Sequence, residues 1–431
     1  MLLQKLSRIW GNEETPFYYD KNTNLSFNDI KKINVFGIEN LNKGDVVALI
    51  GDFNPESICT FLKLIDHGCI VVPLTKETEN QHQYFLNESK AQFVFKKNKL
   101  EKIISKDQIP HRLLDQLRHK NNPGLILFTT GTTGLPKAIL HDFAPFISKY
   151  NTPRPSLKAL SFLLFDHIGG INTLLHMLFN KGSVVSIKDR GVKSIIDLCN
   201  KYSIELLPTT PTFLRMLSLY PNIEDLLPKS LKIISYGTER LDQPTLNFLC
   251  KKFPLIDFRQ TYGMSELGIF RVKSESRQSL YMKIGGDGVE WKVVNSILYI
   301  KSVNKMIGYL NADSPFDKDG WYCTKDLIHK KDDFVKIIGR ESEVINVGGL
   351  KFLPAEVEKV CLEYKGVIHA KVIGKSNPIT GQHSEVIIEK SDGEFNEKKF
   401  LSYLKDNLPR HMMPLRITFK KIELSHRFKK L

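Results

Sequence analysis

Residues 44–74 read GDVVALIGDFNPESICTFLKLIDHGCIVVPL and predict a strand, a helix and a second strand in succession. The first apolar run ends in a turn that contains Asn54 and Pro55, and a helical stretch follows it up to Gly68. The second apolar run ends at Pro73. Two short apolar strands joined by a helix form a βαβ unit, so this stretch predicts parallel strand pairing and an α/β fold.

The same alternation of short apolar runs with helical stretches returns further along the chain. It is present in LKALSFLLF at 157–165, in TLLHMLFNKGSVVSI at 173–187 and in SLKIISYG at 230–237. Residues 280–300 differ, because short alternating strands with glycine-rich turns replace the helices there. We therefore expect a large N-terminal domain of largely parallel sheets with helices, and within it a small β subdomain.

The last part of the chain has a pattern of its own. The elements that it predicts are a helix opened by Pro354 at 354–363, a strand at 369–376 and a helix at 397–408. We divide the chain into an N-terminal domain, 1–339, and a small α+β C-terminal domain, 340–431. Any relative motion of the two would pivot on the few residues from Gly339 to Ser342.

Composition and charge exclude several classes of protein. The 431 residues, 42% of them hydrophobic, are enough to bury a sizeable core in more than one domain. No apolar run approaches the ~20 residues of a membrane-spanning helix, so we expect a soluble, cytoplasmic protein. The net charge of +15 is spread along the chain, without basic and aromatic residues in alternation, and we expect no nucleic-acid partner.

Six cysteines are scattered along the chain: Cys59, Cys69, Cys199, Cys250, Cys323 and Cys361. They form no C-x-x-C pair and have no histidine at the spacing of a metal site. This pattern indicates neither a disulfide framework nor a zinc site. We expect reduced thiols, most of them buried.

Residues 129–137, TTGTTGLPK, have the composition of a phosphate-binding loop. Such a loop needs main-chain N–H groups free of Cβ interference, hydroxyl donors and a cation. The candidate groups are Thr129, Thr130, Gly131, Thr132, Thr133, Gly134 and Lys137. The stretch does not match the P-loop pattern G-x-x-x-x-G-K-[ST], because Pro136 precedes the lysine and Ala138 follows it. Taken alone, it is also compatible with a plain surface turn.

Five further segments follow this loop in order: QTYGMSE at 260–266, GWYCTKDL at 320–327, GRESEVINVGGLKFLPAEVE at 339–358, LPRHMMP at 408–414 and LSHRFKKL at 424–431. Together the six segments resemble the motifs of the acyl-adenylate-forming (ANL) superfamily. These AMP-binding enzymes include acyl-CoA synthetases, adenylation domains of nonribosomal peptide synthetases, and luciferases. The resemblance implies that a carboxylic acid and ATP give an acyl-AMP and pyrophosphate, and that a thiol then takes the acyl group.

The resemblance also assigns the nucleotide site. It implies that Glu266 binds Mg²⁺ and that Ser265 contacts the α-phosphate, both as catalytic residues. Asp326 would accept hydrogen bonds from both ribose hydroxyls, with Arg340 beside it, although Lys325 replaces the glycine that is usual before this aspartate. The other nucleotide-binding positions that it implies are Gly237, Thr238, Glu239, Tyr262, Gly263 and Lys351, with Tyr262 stacked on the adenine.

The resemblance places the catalytic lysine of adenylation near the end of the chain. The tail SHRFKKL has Phe428 where glycine is common, and it selects Lys429, with Lys430 as the rival. After adenylation the C-terminal domain of these enzymes rotates and completes a tunnel for the pantetheine arm. Gly349 matches the glycine of that tunnel, and Ser342 falls at the hinge, where aspartate or lysine is usual.

The stretch LLFDHIGGINTLLH, residues 163–176, falls where the superfamily builds its acyl pocket. His167 matches the histidine of acyl- and aryl-CoA ligases, and Gly169 and Gly170 would leave room for the acyl chain. Asp166 raises a competing interpretation, because relatives that activate amino acids pair such an aspartate with the substrate's amino group. The two glycines favour an acyl or aryl acid.

Three functions remain open from the sequence. The first is an AMP-forming acid–CoA ligase that uses ATP, Mg²⁺ and CoA on a small-molecule carboxylic acid. The second is a stand-alone adenylation enzyme that loads an acyl or amino acid onto the phosphopantetheine of an acyl carrier protein. The third is a non-catalytic relative that binds a nucleotide or an acyl group, prompted by Lys325, Ser342 and the terminal motif without glycine.

Overall fold

The computed structural model describes residues 2–103, 110–129, 134–391 and 395–425. The opening stretch forms the strand Val46–Ile50, the helix Pro55–His67 and the strand Ile70–Leu74, and the two strands pair in parallel. Asn54 begins the helix because its side chain accepts a hydrogen bond from the Ser57 N–H. Gly68 ends it with a φ of 97°, a conformation that glycine adopts without steric cost. The predicted βαβ unit is confirmed.

Sheet I contains this unit at its centre. Its seven strands, in spatial order, are Gly308–Tyr309, Ala138–Asp142, Gly124–Phe128, Ile70–Leu74, Val46–Ile50, Phe93–Lys96 and Lys99–Lys102. The four strands from Gly124–Phe128 to Phe93–Lys96 run parallel, and the outer ones are antiparallel.

Sheet II holds the other predicted apolar runs. Its seven strands, in spatial order, are Asp257–Gln260, Ile233–Tyr236, Leu206–Thr209, Lys158–Leu160, Ser183–Val185, Pro16–Tyr19 and Asn24–Ser26. All neighbours pair in parallel except the last two strands. The prediction of largely parallel sheets is therefore confirmed for the interiors of sheets I and II.

Helices cover both faces of each sheet, as the strand residues require. In Val46–Ile50, Val47 and Leu49 face the cluster shared with sheet II, whereas Val46 and Ala48 face a separate cluster. Since successive strand side chains point to opposite faces, a continuous apolar strand needs cover on both sides. Among the described residues from 2 to 252, the α-helices are Leu2–Trp10, Phe27–Lys32, Pro55–His67, His82–Ser89, Arg112–His119, Phe143–Ser148, Ile168–Phe179, Val192–Lys201, Pro211–Ser218, Ile223–Leu226 and Gln243–Lys252.

Sheet III is the predicted β subdomain, and it is larger than the sequence indicated. Its six antiparallel strands, in spatial order, are Arg271–Ser274, Met282–Gly285, Phe334–Arg340, Tyr322–Lys331, Ile297–Ser302 and Val289–Val294. Between sheets II and III lies a two-stranded ribbon of Gly263–Met264 and Gly268–Ile269. The strand that ends at Arg340 carries the chain to the hinge predicted near Ser342.

The C-terminal residues form sheet IV and two helices. The sheet consists of Leu350–Phe352, Ile345–Val347, Gly381–Lys390, Val367–Asn377 and Arg416–Phe419, and the helices are Pro354–Glu363 and Glu397–Asn407. These elements pack around their own hydrophobic cluster, which includes Val357, Phe400 and Leu404. The predicted α+β pattern is confirmed, while the boundary at residue 339 stays a prediction.

Two predictions drawn from composition can be compared with the structure. Within the described ranges, no helix is long and apolar enough to cross a membrane. All six cysteines are free, and every one except Cys323 is buried. Burial raises the pKa of the Cys69 and Cys361 thiols to about 12, so both stay protonated at neutral pH.

Candidate active site

A cleft of about 2080 Å³ runs along sheet II, and residues at the carboxyl ends of its parallel strands, among them Thr209, Gly237 and Thr261, line one part of it. Sheet III and the C-terminal residues form its other walls. In open parallel sheets this edge is where ligands commonly bind. The predicted site residues that line the cleft are Thr129, Lys137, His167, Gly169, Gly237, Thr238, Glu239, Tyr262, Gly263, Ser265, Glu266, Asp326, Arg340 and Ser342.

Asp326 is the centre of a hydrogen-bond network in one wall of the cleft. Its Oδ2 accepts a hydrogen bond from Tyr262 Oη at 2.6 Å, and its Oδ1 accepts one from Arg340 Nε at 3.1 Å. Asp326 and Arg340 face each other on neighbouring strands of sheet III. Burial, and then the Asp326 carboxylate, raise the pKa of Tyr262 well above its ordinary value, so the phenol remains a donor. The carboxylate is thereby held in place with lone pairs left for a ligand's hydroxyl groups.

Lys325, the unusual neighbour of Asp326, has a left-handed backbone. Its φ is 58°, while its side chain is exposed to solvent. This conformation costs an L-residue roughly 1–2 kcal/mol relative to glycine. The geometry explains why glycine suits the position and shows that the lysine leaves the aspartate in place.

Glu266 belongs to a second network in the same cleft. It is 8% exposed, and its Oε1 accepts a hydrogen bond from Tyr309 Oη at 2.7 Å. The ammonium of Lys137 lies 4.8 Å from the centre of the Tyr309 ring. Burial and the Glu266 carboxylate raise the pKa of Tyr309, which keeps the phenol protonated. A cation, a phenol and a carboxylate from three distant segments therefore meet at one point of the cleft.

Ser265 is held by a histidine that the sequence analysis did not single out. Nε2 of His141 donates a hydrogen bond to the Ser265 carbonyl at 2.6 Å. His141 is 1% exposed, and burial lowers its pKa to about 4, so the ring is neutral at neutral pH. This bond joins sheet I to the segment that carries Ser265 and Glu266.

The ends of the candidate phosphate loop are fixed to each other. The Thr129 N–H donates to the Lys137 carbonyl at 3.1 Å, and the Thr129 hydroxyl accepts from the Lys137 N–H at 3.3 Å. Gly134 is exposed, and no atom of the described residues lies within 4 Å of a Cβ built on it. The predictions for Thr130, Gly131, Thr132 and Thr133 lie outside the described residues.

Close main-chain approach explains two glycines of the site. A Cβ on Gly237 would lie 2.1 Å from the Thr261 hydroxyl, and one on Gly263 would lie 2.5 Å from the Gly268 carbonyl. Thr238 follows with a φ of 72°, and the Glu239 carboxylate accepts a hydrogen bond from the Thr212 hydroxyl at 2.7 Å. These contacts pack the segment after strand Ile233–Tyr236 against Thr261 and the helix Pro211–Ser218, and the segment lines the cleft.

The two glycines predicted for the acyl pocket differ in their surroundings. Gly169 lines the cleft, and a Cβ there would meet the flexible end of Leu163 at 2.6 Å. A Cβ on Gly170 would lie 1.8 Å from the Leu164 carbonyl, so main chain fills the space beside it. Gly170 is therefore closely packed against main chain, and its predicted place in the acyl pocket stays a prediction.

His167 and Asp166 occupy different environments although they are adjacent. His167 lines the cleft and caps the helix Ile168–Phe179, because its Nδ1 accepts a hydrogen bond from the Gly169 N–H at 3.1 Å. Asp166 is 5% exposed, and its Oδ2 accepts from the Thr75 hydroxyl at 2.9 Å. Asp166 is not among the described residues that line the cleft. The structure therefore offers no support for Asp166 as a partner of a substrate's amino group.

Three predictions concern the C-terminal residues. Ser342 lies in the short helix Glu341–Glu343 and lines the cleft. Gly349 and Lys351 lie on the exposed hairpin of Ile345–Val347 and Leu350–Phe352, away from the described lining of the cleft. The prediction for Lys429 lies outside the described residues.

Arg215 was also missed by the sequence analysis, and it joins the two parts of the chain. From the helix Pro211–Ser218, its Nη2 donates to the carbonyls of Leu362 and Val367 at 3.1 and 3.0 Å. Its Nε donates to the Ile368 carbonyl at 3.2 Å. No local signal distinguishes such an arginine, because three of its four acceptors are main-chain atoms about 150 positions away and the fourth is the Thr245 hydroxyl.

The donor set of the cleft limits the metal ion that it could hold. Among the described residues, no group of three or more His, Cys, Asp or Glu side chains could hold a metal ion. Glu266 supplies one buried carboxylate to the cleft, and Lys137 lies over the ring of its hydrogen-bond partner Tyr309. One carboxylate together with substrate phosphates suits Mg²⁺, which seldom relies on an all-protein cage.

Comparison with known proteins shows related sequences. The family model described as "AMP-binding enzyme" matches residues 34–309. 4-Coumarate–CoA ligase 4 of Arabidopsis thaliana is 24% identical over 312 residues, covering 64% of this chain and 55% of that protein. 2-Succinylbenzoate–CoA ligase of Bacillus cereus is 25% identical over 331 residues, covering 68% and 65%. The match to the first of these relatives thus spans little more than half of the relative's length.

Solved structures share the fold over the whole chain. The anthranilate CoA ligase AuaEII in complex with anthranoyl-AMP has a TM-score of 0.80 at 15% identity, covering 100% of this chain and 95% of that one. The o-succinylbenzoate CoA synthetase MenE from Bacillus subtilis, in complex with its acyl-adenylate intermediate, has a TM-score of 0.79 at 20% identity, covering 100% and 96%. These similarities establish the fold class and agree with the predicted large α/β part and smaller α+β part.

Proposed function

Since the chain belongs to the AMP-binding enzyme family, we propose that it is an AMP-forming acid–CoA ligase. It activates a carboxylic acid with ATP to an acyl-AMP, releases pyrophosphate and transfers the acyl group to CoA. The main observation behind the proposal is that the Asp326 network and the Glu266 network line the same cleft, where one ligand could contact both. One network suits a ribose and the other suits phosphates with a divalent cation.

The nucleotide would lie along the carboxyl edge of sheet II. Asp326 accepts the ribose hydroxyls, with Arg340 and Tyr262 fixing its carboxylate. Tyr262 contacts the adenine, over the main chain of Gly237 and Thr238. Lys137 lies at the described end of the phosphate loop, where its ammonium offsets the charge of the phosphates that leave as pyrophosphate.

Glu266 would hold Mg²⁺ together with the phosphates of ATP. The metal ion supplies positive charge where the carboxylate of the acid and the α-phosphate, both anionic, must approach each other. The Tyr309 hydroxyl orients the Glu266 carboxylate, and His141 fixes the main chain of Ser265 next to it. Both contacts restrict the position of the metal ligand before the substrates bind.

The names of relatives support CoA as the acceptor and an organic acid as the substrate. The matched curated proteins are CoA ligases for 4-coumarate, nicotinic acid and 2-succinylbenzoate. Gly349, on the exposed hairpin, would enter the pantetheine tunnel only after residues 341–425 change their orientation, with Ser342 near the pivot.

The decisive experiment is ATP–pyrophosphate exchange with a panel of fatty, aryl, dicarboxylic and amino acids. Acid-dependent exchange followed by acyl-CoA formation is the expected result. Transfer of the acyl group to a holo-carrier protein but not to CoA would show that the carrier protein, and not CoA, is the acceptor. If no acid supported exchange, the protein would be a non-catalytic relative.

The same assay tests the proposed adenylation lysine. Replacing Lys429 with Ala should lower exchange about 100-fold, because a cation that offsets charge in the transition state is lost. Lys430→Ala is the matched control, since it removes the same charge one position away. If K429A kept full exchange while K430A lost it, the two assignments would have to be reversed.

A further inference from the structure

One face of the helix Ile168–Phe179 forms a wall of the cleft. The cleft-lining residues of this helix include Gly169, Asn172, Thr173, His176 and Met177. Their spacing of three and four positions places them on one side of the helix. The opposite side, with Leu174 and Leu178 among its residues, is buried in the cluster between sheets I and II. The helix also packs against the strand Gly268–Ile269, which directly follows the Glu266 segment.

Asn172 presents its amide nitrogen to the cleft. Its Oδ1 accepts hydrogen bonds from Lys149 Nζ at 2.7 Å and from Tyr150 Oη at 2.9 Å. A protonated Lys149 can only donate, so the group facing it is the oxygen, and this contact sets the orientation of the amide. Within the described part of the chain, no acceptor bonds to the Asn172 Nδ2. Two N–H donors are therefore left for a ligand.

Two basic side chains that act on His176, one helical turn from Asn172, have no carboxylate within the described ranges to balance them. Among the described residues, neither Lys149 nor the guanidinium of Arg154, which lines the cleft, has an ion-pair partner. Burial lowers the pKa of Lys149 to about 7. Burial, and then Lys149 and Arg154, lower the pKa of His176 to about 4, so its neutral ring can also hydrogen-bond a ligand.

None of the cleft-lining residues on this helix or on residues 154–157 is acidic. A buried or half-buried ammonium without a counter-ion is unfavourable, and an anionic ligand group beside Asn172 would relieve that cost. A plain hydrocarbon chain would instead leave the two N–H donors of Asn172 without acceptors. The wall is thus suited to an oxygen acceptor and unsuited to an unsubstituted acyl chain.

We propose that this enzyme selects carboxylic acids whose distal end carries a hydrogen-bond-accepting oxygen, a second carboxylate above all, and that Asn172 binds it. The inference rests on the proposed function, because it assigns the acyl part of the same cleft. Asn172 is the residue that determines specificity, and Lys149 and Tyr150 position its amide. The reactive carboxylate would then lie toward Glu266, and the distal oxygen toward Asn172 and His176.

The test uses acyl sulfamoyl-adenosines, non-hydrolysable mimics of the acyl-AMP, with chains of four, six and eight carbons that end in methyl, hydroxyl or carboxylate. Calorimetry gives the Kd of each with the full-length protein. We expect the carboxylate-terminated analogue to bind at least tenfold tighter than its methyl-terminated counterpart at one or more lengths, with the hydroxyl between them.

Two variants test the residue itself. Asn172→Asp keeps the shape and the contacts with Lys149 and Tyr150 but removes both N–H donors, so the preference for carboxylate should be lost. Met177→Leu changes an apolar residue of the same helix face with little change in volume, and it should keep the preference. Lys149→Met removes the positioning contact and should reduce the preference severalfold.

The outcomes separate the two proposals. Equal Kd values for methyl- and carboxylate-terminated analogues would overturn the proposed selection of acids with a distal oxygen, while the proposal of an acid–CoA ligase would stand. A preference that survives in N172D would also overturn the role of Asn172. If none of the analogues bound, both proposals would fail together.

Discussion

Asp326 and Arg340 face each other across neighbouring strands of sheet III, with Arg340 Nε 3.1 Å from Asp326 Oδ1. The Asp326 carboxylate is buried, whereas 53% of the Arg340 side chain is exposed. Tyr262 donates to the other carboxylate oxygen at 2.6 Å. Two donors from separate segments thus hold one carboxylate at the edge of the cleft.

Replacing Asp326 with Asn should raise the KM for ATP about tenfold or more. A neutral amide cannot accept charge-assisted hydrogen bonds from the ribose, and each such bond contributes roughly 1.5–3 kcal/mol. The KM is measured by ATP–pyrophosphate exchange. Tyr262→Phe is the control, because it removes one donor to the carboxylate and keeps the charge. An unchanged KM for ATP in D326N would show that Asp326 does not bind the ribose.

Replacing Lys325 with Gly should stabilise the protein relative to Lys325→Ala by about 0.5–1 kcal/mol, because relief of about 1–2 kcal/mol of backbone strain exceeds the entropy that glycine adds to the unfolded chain. Both variants lose the exposed side chain, but only glycine adopts the left-handed φ of 58° without strain. The measurement is the free energy of unfolding in urea. An alanine variant as stable as the glycine variant would show that the backbone at this position is unstrained.

Removing Arg215 should loosen residues 341–425 from the rest of the chain. Arg215→Met loses hydrogen bonds to the Leu362, Val367 and Ile368 carbonyls, which together contribute on the order of 2–3 kcal/mol. We expect proteolysis near Ser342 to become faster by roughly tenfold or more.

The control for Arg215 is Arg118→Met. Arg118 also donates to a main-chain carbonyl, that of Gly44, but both residues lie in the N-terminal part of the chain. Cleavage near Ser342 at the wild-type rate in R215M would show that Arg215 does not hold the C-terminal residues in place.

His141 should make stability depend on pH in the acidic range. Its pKa in the folded protein, about 4, lies below the ordinary 6.5, because burial disfavours the charged ring. The unfolded chain therefore takes up the proton first as the pH falls. The resulting stability is fully present above pH 6.5 and declines between pH 6.5 and about 4, by on the order of 3 kcal/mol in total.

His141→Gln isolates this contribution. Its amide N–H can still donate to the Ser265 carbonyl, but it does not titrate. Urea unfolding at pH 7.5 and pH 5 should give a smaller loss of stability for the variant than for the wild type. Equal losses would mean that other groups account for the pH dependence.

The candidate site could be predicted from the sequence only in part. Tyr262, Glu266 and Asp326 were found because they stand in short segments whose order is informative, and all three line one cleft. Tyr309 and His141 were missed, because no local sequence pattern indicates them. Their hydrogen-bond partners, Glu266 and Ser265, are 43 and 124 positions away. The sequence also cannot show that the Leu164 carbonyl fills the space beside Gly170, whose place in the acyl pocket stays a prediction.

The sequence by itself determined the succession of strands and helices, because apolar periodicity, Asn54 and Gly68 act within a few residues of the chain. It also determined which segments carry the candidate chemistry. Only the tertiary structure decided that Asp326 meets both Tyr262 and Arg340, and that Lys149 and Tyr150 turn the Asn172 amide toward the cleft. The physical reason is that the direction of a hydrogen bond depends on how distant segments pack, and no local propensity encodes that arrangement.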